Sequence, residues 1–215
     1  MNKYEKHHNV THDGVTLVDI TVIRPEISAA NPKSDAVIDR FYDKIQRRFL
    51  AFCEDEVAKT VQLERNSRLL KGLTLTPARA SLQFHIERCD NRIVSVRITE
   101  TLSLVCKKMI HTEFFDIRSA ETGYPLELRE LSENYHTLKK SINKSLRKQA
   151  ALRTRIVPDC PPNLLRLVRN SGMKRNFLIT NSDILFKIHD LPSHFGEFAL
   201  PLSITDICKG SSVIS

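Results

Sequence analysis

The chain has 215 residues, of which 41% are hydrophobic and 27% are charged. A chain of this length can bury a hydrophobic core without disulfide bonds or metals, and its composition is that of a globular protein and not of a disordered segment. Its five cysteines include no C-x-x-C pair, so neither a zinc ribbon nor a disulfide framework is indicated, and no apolar run reaches the roughly 18 residues of a membrane helix. The net charge of +8 is concentrated in residues 132–175, where eleven basic residues stand against two acidic ones.

Residues 14–75 are predicted to form an N-terminal lobe of one strand and one helix, preceded by a flexible leader over 1–13. Alternating β-branched residues predict the strand over 15–23. Ser34 is the predicted N-cap of the helix. The helix should end or lift off the core near Glu56, which enters its apolar arc. Five apolar residues at helical spacing predict a buried stripe: Ile38, Phe41, Ile45, Phe49 and Phe52.

Residues 76–207 are predicted to form a meander, a helix and a C-terminal hairpin, packed with the first lobe into one compact unit and followed by a tail over 208–215. Alternation predicts strands near 82–86, 94–104 and 109–117. Gly123 and Pro125 mark a turn before a short strand. An amphipathic helix over 132–150, a short helical stretch over 164–170, a hairpin and a last strand "GEFALPLS" follow. Short links between strands favour antiparallel pairing.

The predicted fold class is therefore α+β. A mainly antiparallel sheet, formed by the meander and the C-terminal hairpin, is packed by two amphipathic helices. The sequence has no internal repeat that would indicate a solenoid or a propeller.

Three groups of residues could form a metal or catalytic site, but the sequence evidence for each site is weak. His7, His8 and His12 cluster near the N-terminus, but no cysteine or carboxylate completes a metal site. Cys106 and His111 are an odd number of residues apart, which on one strand sends them to opposite faces. Glu87, Glu100 and Glu113 could pair for acid/base work, as acidic residues in any protein could. The sequence predicts no catalytic, cofactor or metal site, and no enzyme.

The basic face of the 132–150 helix is the more informative surface. Lys140, Lys144, Arg147 and Lys148 lie opposite its apolar face and could contact a protein or an anionic ligand. Nucleic-acid binding through the same residues is the alternative. It is not favoured, because the face has no aromatic residues on which bases could stack. A solvated outer face without a ligand also fits the pattern.

The passage "FFDIRSAETGYPLELREL" resembles the strand–Asp–Thr-Gly–Leu-x-Leu passage of the RsiV-like domain family. The C-terminal "NFLITNSDILFKIHD…FGEFALPLS" is similar to the family's last hairpin and strand, and "VDITVIRPEIS" with the helix after it is similar to the N-terminal lobe. The resemblance covers nearly the whole chain in order. The matching residues of the central passage are Asp116, Thr122, Gly123, Leu126, Leu128 and Leu131.

The resemblance implies a bacterial binding domain without catalytic activity. The family includes the lysozyme-binding domain of the anti-sigma factor RsiV and a non-catalytic region of some peptidoglycan deacetylases. Here "TLSLVCKKMIH" has no glycine where family members often carry Gly-Gly-Ala-His. A net charge of +8 would also repel a basic lysozyme. We therefore expect a cytoplasmic binding module of unknown partner and oligomeric state, or an envelope sensor if an anchor is missing from this chain.

Overall fold

The computed structural model describes residues 3–28, 31–74, 76–104, 109–170, 177–188, 191 and 193–201. In chain order the elements are β1 (Lys3–His12), β2 (Val15–Pro25), α1 (Pro32–Phe52), a π-helical turn (Cys53–Val57), α2 (Ala58–Leu69), β3 (Ala78–Cys89), β4 (Ile93–Ser103), β5 (Ile110–Ser119), a 3-10 turn (Leu128–Leu131), α3 (Tyr135–Ile156), α4 (Leu164–Asn170), β6 (Phe177–Ile179), β7 (Asp183–Lys187), α5 (Ser193–Gly196) and β8 (Glu197–Pro201).

The strands of the described residues form two sheets, with the orders β1-β2-β3-β4-β5 and β6-β7-β8. Neighbouring strands pair antiparallel except β2 and β3, which are parallel. The exception arises because β2 and β3 are joined by α1 and α2, a connection long enough to return the chain to the same end of the sheet. The predicted class, a mainly antiparallel α+β fold, is confirmed.

The flexible leader predicted for residues 1–13 is wrong over 3–12. Those residues form β1, which pairs with β2 along its whole length. The turn between the two strands is Asp13-Gly14, with positive φ angles of 51° and 73°. Two consecutive positive φ angles are typical of the tightest hairpins. The Asp-Gly pair was therefore a hairpin signal, which the polar composition of β1 obscured.

Helix α1 begins earlier than the sequence predicts. Asn31 is the N-cap, and its side-chain oxygen accepts hydrogen bonds from the backbone N–H groups of Lys33 and Ser34, both at 3.0 Å. Pro32 occupies the first turn, where the absence of an N–H group has no consequence. Ser34, the predicted cap, is instead buried, and its hydroxyl donates to the Asn31 carbonyl oxygen at 2.8 Å.

The irregularity predicted near Glu56 is the π-helical turn Cys53–Val57. A π turn holds one more residue than an α turn and shifts the side chains that follow it around the axis. Glu56 is exposed, while Val57, Ala58 and Val61 are buried. The helix therefore keeps its contact with the sheet through a change of register.

The five-stranded sheet is covered on both faces. One core joins α1, the π turn and α2 to the sheet's first face. A second core, which includes the apolar side of α3, contains residues of the other sheet together with Ile93 and Ile117. Polar contacts link the two sheets: the Ile179 N–H group donates to the Ser95 hydroxyl at 3.0 Å, the Lys187 ammonium group donates to Glu113 at 2.6 Å, and the Arg97 guanidinium lies 3.6 Å from the Glu197 carboxylate.

The C-terminal half differs from the prediction in its details. The short strand expected after Pro125 is the 3-10 turn Leu128–Leu131, and the helix expected over 132–150 is α3, which extends to Ile156. The short helix over 164–170, the hairpin and the last strand are confirmed by α4, β6, β7 and β8. The predicted tail over 208–215 lies outside the described residues. In the part of the chain that the structure describes, we find no helix with the length and apolar character needed to span a bilayer.

Candidate binding groove

An open groove of about 650 Å³ separates helix α1 from strands β4 and β5. Most of its lining is aromatic or aliphatic, and three charged side chains stand among these groups. A concave apolar surface with a few charged groups is the usual form of a ligand site. The lining residues are Phe41, Lys44, Ile45, Arg48, Phe49, Phe52, Glu100 and Phe114.

The two walls of the groove follow from the regular spacing at which side chains of a helix and of a strand return to one face. The apolar stripe predicted along α1 supplies one wall. In the other wall Phe114 pairs with Ile98, a fully buried residue of the α1-side core, so both side chains lie on the face toward α1. Glu100 is two residues from Ile98 and therefore shares that face. An acidic side chain thus stands at a position where the sheet elsewhere carries apolar ones.

The electrostatics of the groove favour an anionic ligand group. Lys44 and Arg48 are exposed, and neither forms an ion pair with another described residue. Burial raises the pKa of Glu100, and the positive charge of Arg48 opposes that shift. Beneath them, burial and the charge of Glu100 raise the pKa of the Cys53 thiol to about 12. Cys53 is therefore an unreactive thiol at neutral pH.

One end of the groove is closed by a buried charged cluster. The Arg118 guanidinium stacks 3.5 Å from the Phe41 ring and donates to Asp116 at 2.7 Å and to the Gly123 carbonyl oxygen at 3.0 Å. The Tyr42 hydroxyl donates to the same carboxylate at 2.8 Å. Burial and the Asp116 charge raise the pKa of Tyr42 well above its usual value. Each charge in the cluster has a hydrogen-bond partner within it. The cluster therefore holds the wall of the groove in place and leaves neither of its charges for a ligand.

The other end lies beside an open sheet edge. The outer edge of β5 is occupied near its C-terminus, where Ile117 accepts from the Leu126 N–H group and the Ser119 N–H group donates to Tyr124. Alternate residues of a strand direct their backbone groups to the same side. The outward groups of His111, Glu113 and Phe115 thus share this edge.

Those outward groups have no backbone partner among the described residues. Large apolar side chains are also exposed at this end of the groove. Phe52, Met109 and Ile110 have relative exposures of 47%, 59% and 52%. An unpaired strand edge beside exposed apolar side chains is a typical recognition surface.

The basic face of α3 is exposed as the sequence pattern predicts. Lys140, Lys144, Arg147 and Lys148 all face solvent. Their helix packs through its opposite side, where Leu138, Ile142, Leu146 and Ala150 are buried. None of the four basic residues lines the groove. The face is convex, so it could contact an extended partner but could not enclose a small one.

The weaker sequence candidates do not converge. His7 and His8 are consecutive on β1 and point to opposite faces of the sheet. Glu87 and Glu113 both bind the Arg97 guanidinium, at 2.7 and 3.1 Å, whereas Glu100 lies on the sheet's other face. Cys106 lies outside the described residues, which contain no group of three potential metal ligands.

Sequence reasoning missed the buried arginines Arg24 and Arg118, both less than 5% exposed. Arg24 donates to Asp39 and Asp43 of α1 and lies between the rings of Tyr4 and Tyr42. The sequence contained one signal: each arginine lies an even number of residues from apolar residues of its strand that face the core, so it shares their face. A charged residue at such a position implies a buried partner.

Two solved structures have this fold over nearly their whole length. A DUF3298 family member from Bacteroides fragilis matches with a TM-score of 0.57 and 12% identity, over 97% of this chain and 91% of its own. A DUF3298 family protein from Pseudomonas aeruginosa matches with a TM-score of 0.54 and 12% identity, over 97% of this chain and 92% of its own. The protein has the DUF3298 fold.

DUF3298 is the RsiV-like domain family, so the fold that the sequence resemblance implies is confirmed. At 12% identity the similarity to these two structures shows the fold alone. No protein-family model matches the sequence, and no curated protein matches it.

Proposed function

We propose that the protein is a bacterial RsiV-like domain that binds a partner without catalysis, and that the groove beside α1 is its binding site. The observation that carries the proposal is the combination found there among the described residues: aromatic walls, two cations that form no ion pair with them, and a strand edge that they leave unpaired. Such a surface takes a ligand that has both an apolar part and a negative charge.

An anionic apolar dye tests the site directly. We expect 1-anilinonaphthalene-8-sulfonate to bind the native protein and to bind the Phe52→Glu variant roughly tenfold more weakly, since the change removes apolar contact area and adds a like charge. Leu152→Glu is the matched control, because Leu152 is 54% exposed on α3, away from the groove. Fluorescence titration on variants with unchanged circular dichroism is the measurement. Equal affinity in the three proteins would contradict the proposal.

A second candidate function is polyanion binding by the basic face of α3. It is favoured by the exposure of Lys140, Lys144, Arg147 and Lys148 on one side of a helix. Binding to random duplex DNA through four such residues should weaken steeply between 50 and 200 mM salt. The double variant Lys144→Glu/Arg147→Glu should abolish this binding and keep the cooperative thermal melt. A salt-independent interaction would exclude this candidate.

We also propose the cytoplasmic location that the sequence predicts. Its support is chemical: Cys53, Cys89 and Cys160 are free thiols among the described residues, as is usual in a reducing compartment. Labelling with a thiol reagent in intact and in lysed cells tests the location. Label acquired only after lysis is the result that the proposal predicts for the exposed Cys89.

A further inference from the structure

We propose that the groove's ligand is an extended acidic peptide that adds to β5 as a sixth strand of the first sheet. This inference rests on the proposed function, because it names the partner of the same groove. An added strand would use the outward backbone groups of His111, Glu113 and Phe115, which are the part of the β5 edge that the 119–126 turn does not occupy. Strand addition is a common way for an exposed sheet edge to bind a peptide.

Side-chain directions make the groove and the edge one site. In an added strand, alternate side chains would lie on the α1 face, beside Phe114. On that face the next surface is the wall formed by Phe41, Ile45 and Phe52. An apolar residue at this position of the peptide would fill the groove while the backbone pairs with β5. The hydrogen bonds would supply register, and the groove would supply selectivity for the side chain.

Charge selects an acidic peptide. Lys44 and Arg48 are one helical turn apart on α1, and both line the groove. Residues two positions apart in a strand are separated by nearly 7 Å, a spacing close to that of one helical turn. A peptide with acidic residues at two successive positions of this face, following its apolar residue, could thus reach both cations. Glu100 is the one acidic group among the described residues that line the groove, and its pKa is already raised by burial.

The opposite face of the added strand would meet a neutralised surface. There Glu113 accepts from Lys187 at 2.6 Å and from Arg97 at 3.1 Å, and the Arg97 guanidinium lies 5.4 Å from the Phe115 ring. The two cations lower the pKa of Glu113, so this carboxylate stays ionised and paired. Neutral residues such as threonine suit these positions of the peptide.

A second copy of the chain suits the edge less well. Antiparallel pairing of two β5 strands about a two-fold axis would place both α1 helices on the same face of a continuous sheet. Lys44, Arg47 and Arg48 of each copy are exposed along the helix that would approach the other copy. Like charges would therefore meet, whereas an acidic peptide would be attracted.

The test uses the peptide acetyl-Val-Thr-Glu-Thr-Glu-Thr-amide and its counterpart with lysine in place of glutamate. In NMR titrations at low salt, we expect the acidic peptide to bind at least tenfold more tightly than the basic one. Its binding should protect the amide protons of His111, Glu113 and Phe115 from exchange. The double variant Lys44→Glu/Arg48→Glu should lose this preference, and Lys140→Glu/Lys144→Glu should keep it.

Backbone N-methylation separates strand addition from simple filling of the groove. Methyl groups on one alternating set of peptide nitrogens should weaken binding at least tenfold, and on the other set they should have little effect, because every second N–H group faces β5. Equal effects of the two sets would overturn the inference.

Three further outcomes would contradict the inference. If the dye binds in a Phe52-dependent way and the peptide does not bind, the inference fails and the proposed function stands. If neither binds, both fail. Concentration-dependent dimers that protect the same three amides without peptide would identify a second copy as the occupant.

Discussion

The two halves of strand β5 pair with the same strand and face the same helix, but they differ in how their side chains and their outer edge are covered. In the C-terminal half, Arg118 is buried and the Asp116 side chain is 14% exposed; the two bind each other, Tyr42 and the 119–126 turn, which occupies the outer edge. In the N-terminal half, Phe114 lines the groove, Ile110 is exposed, and the edge is unpaired among the described residues. Both halves pair with β4 and face α1.

The difference shows how a single strand can combine scaffold and recognition. Charges in the closed half have partners and are shielded from water, so changing them should affect folding. Charges near the open half, Lys44 and Arg48, are exposed and form no ion pair with another described residue, so changing them should affect binding. Four substitutions test this division, and their expected effects decrease in the order given.

Arg118→Met should have the largest effect. It would leave Asp116, whose side chain is 14% exposed, without its cationic partner. Breaking a buried pair in this way typically destabilises a protein by about 3–5 kcal/mol. Arg48→Met is the matched control at the open half and should change the free energy of unfolding by no more than about 0.5 kcal/mol. Urea denaturation measures both, and equal losses would contradict the division.

Gly123→Ala should cost about 2–4 kcal/mol. Gly123 has a φ of 73°, and an added Cβ atom would lie 2.7 Å from the Ser34 carbonyl oxygen. The variant therefore combines backbone strain with overpacking. Gly72→Ala isolates the strain, because Gly72 has a φ of 67° and no heavy atom within 4 Å of the added Cβ atom. Thermal unfolding of the two variants should show a clearly larger loss at Gly123.

Tyr42→Phe should cost about 1.5–2 kcal/mol. The change removes one hydrogen bond to the Asp116 carboxylate and keeps the ring in the core. The raised pKa of Tyr42 means that this hydroxyl stays protonated up to pH 10, so the loss should be constant between pH 6 and pH 9. Chemical denaturation across that range is the check. A loss that varies with pH would show that the cluster titrates.

Glu100→Gln should have the smallest effect and the opposite sign. The folded-state pKa of Glu100 is raised, so the folded protein binds this proton more tightly than the unfolded chain does. The ionised side chain therefore lowers stability at pH 7, and this penalty disappears as the pH falls below the ordinary carboxyl pKa. Glu100→Gln should raise the free energy of unfolding by roughly 0.5 kcal/mol at pH 7, a small value because the group is partly exposed. Denaturation at pH 7 and pH 4 should show the gain only at pH 7.

Local patterns predicted the elements of the fold well. The period-2 alternation of the meander, the apolar stripe of α1 and the apolar face of α3 each depend on neighbours within a few residues. The stripe of α1 even contained most of the groove's aromatic wall. It was predicted to be buried, whereas Phe52 is 47% exposed, because periodicity does not show where a helix extends past the edge of the sheet.

The charged clusters depend on contacts that no local pattern contains. Tyr42 and Asp116 are 74 residues apart, and so are Glu113 and Lys187. The pairing of β1 was not predicted for a different reason. The charged and histidine-rich composition of β1 resembles that of a loop, and only the Asp-Gly turn indicated a hairpin. The groove's open edge could be recognised only when the strand order was known, because β5 is not distinguished from β4 by its sequence.

Amide hydrogen exchange along β5 tests the central claim most directly. The division between the halves predicts rapid exchange at His111, Glu113 and Phe115 and strong protection at Ser119, whose N–H group donates to the Tyr124 carbonyl oxygen at 2.9 Å. The acidic peptide should then protect the first three and leave Ser119 unchanged. Protection of all four amides in the protein alone, or rapid exchange of the first three in the presence of bound peptide, would contradict the account.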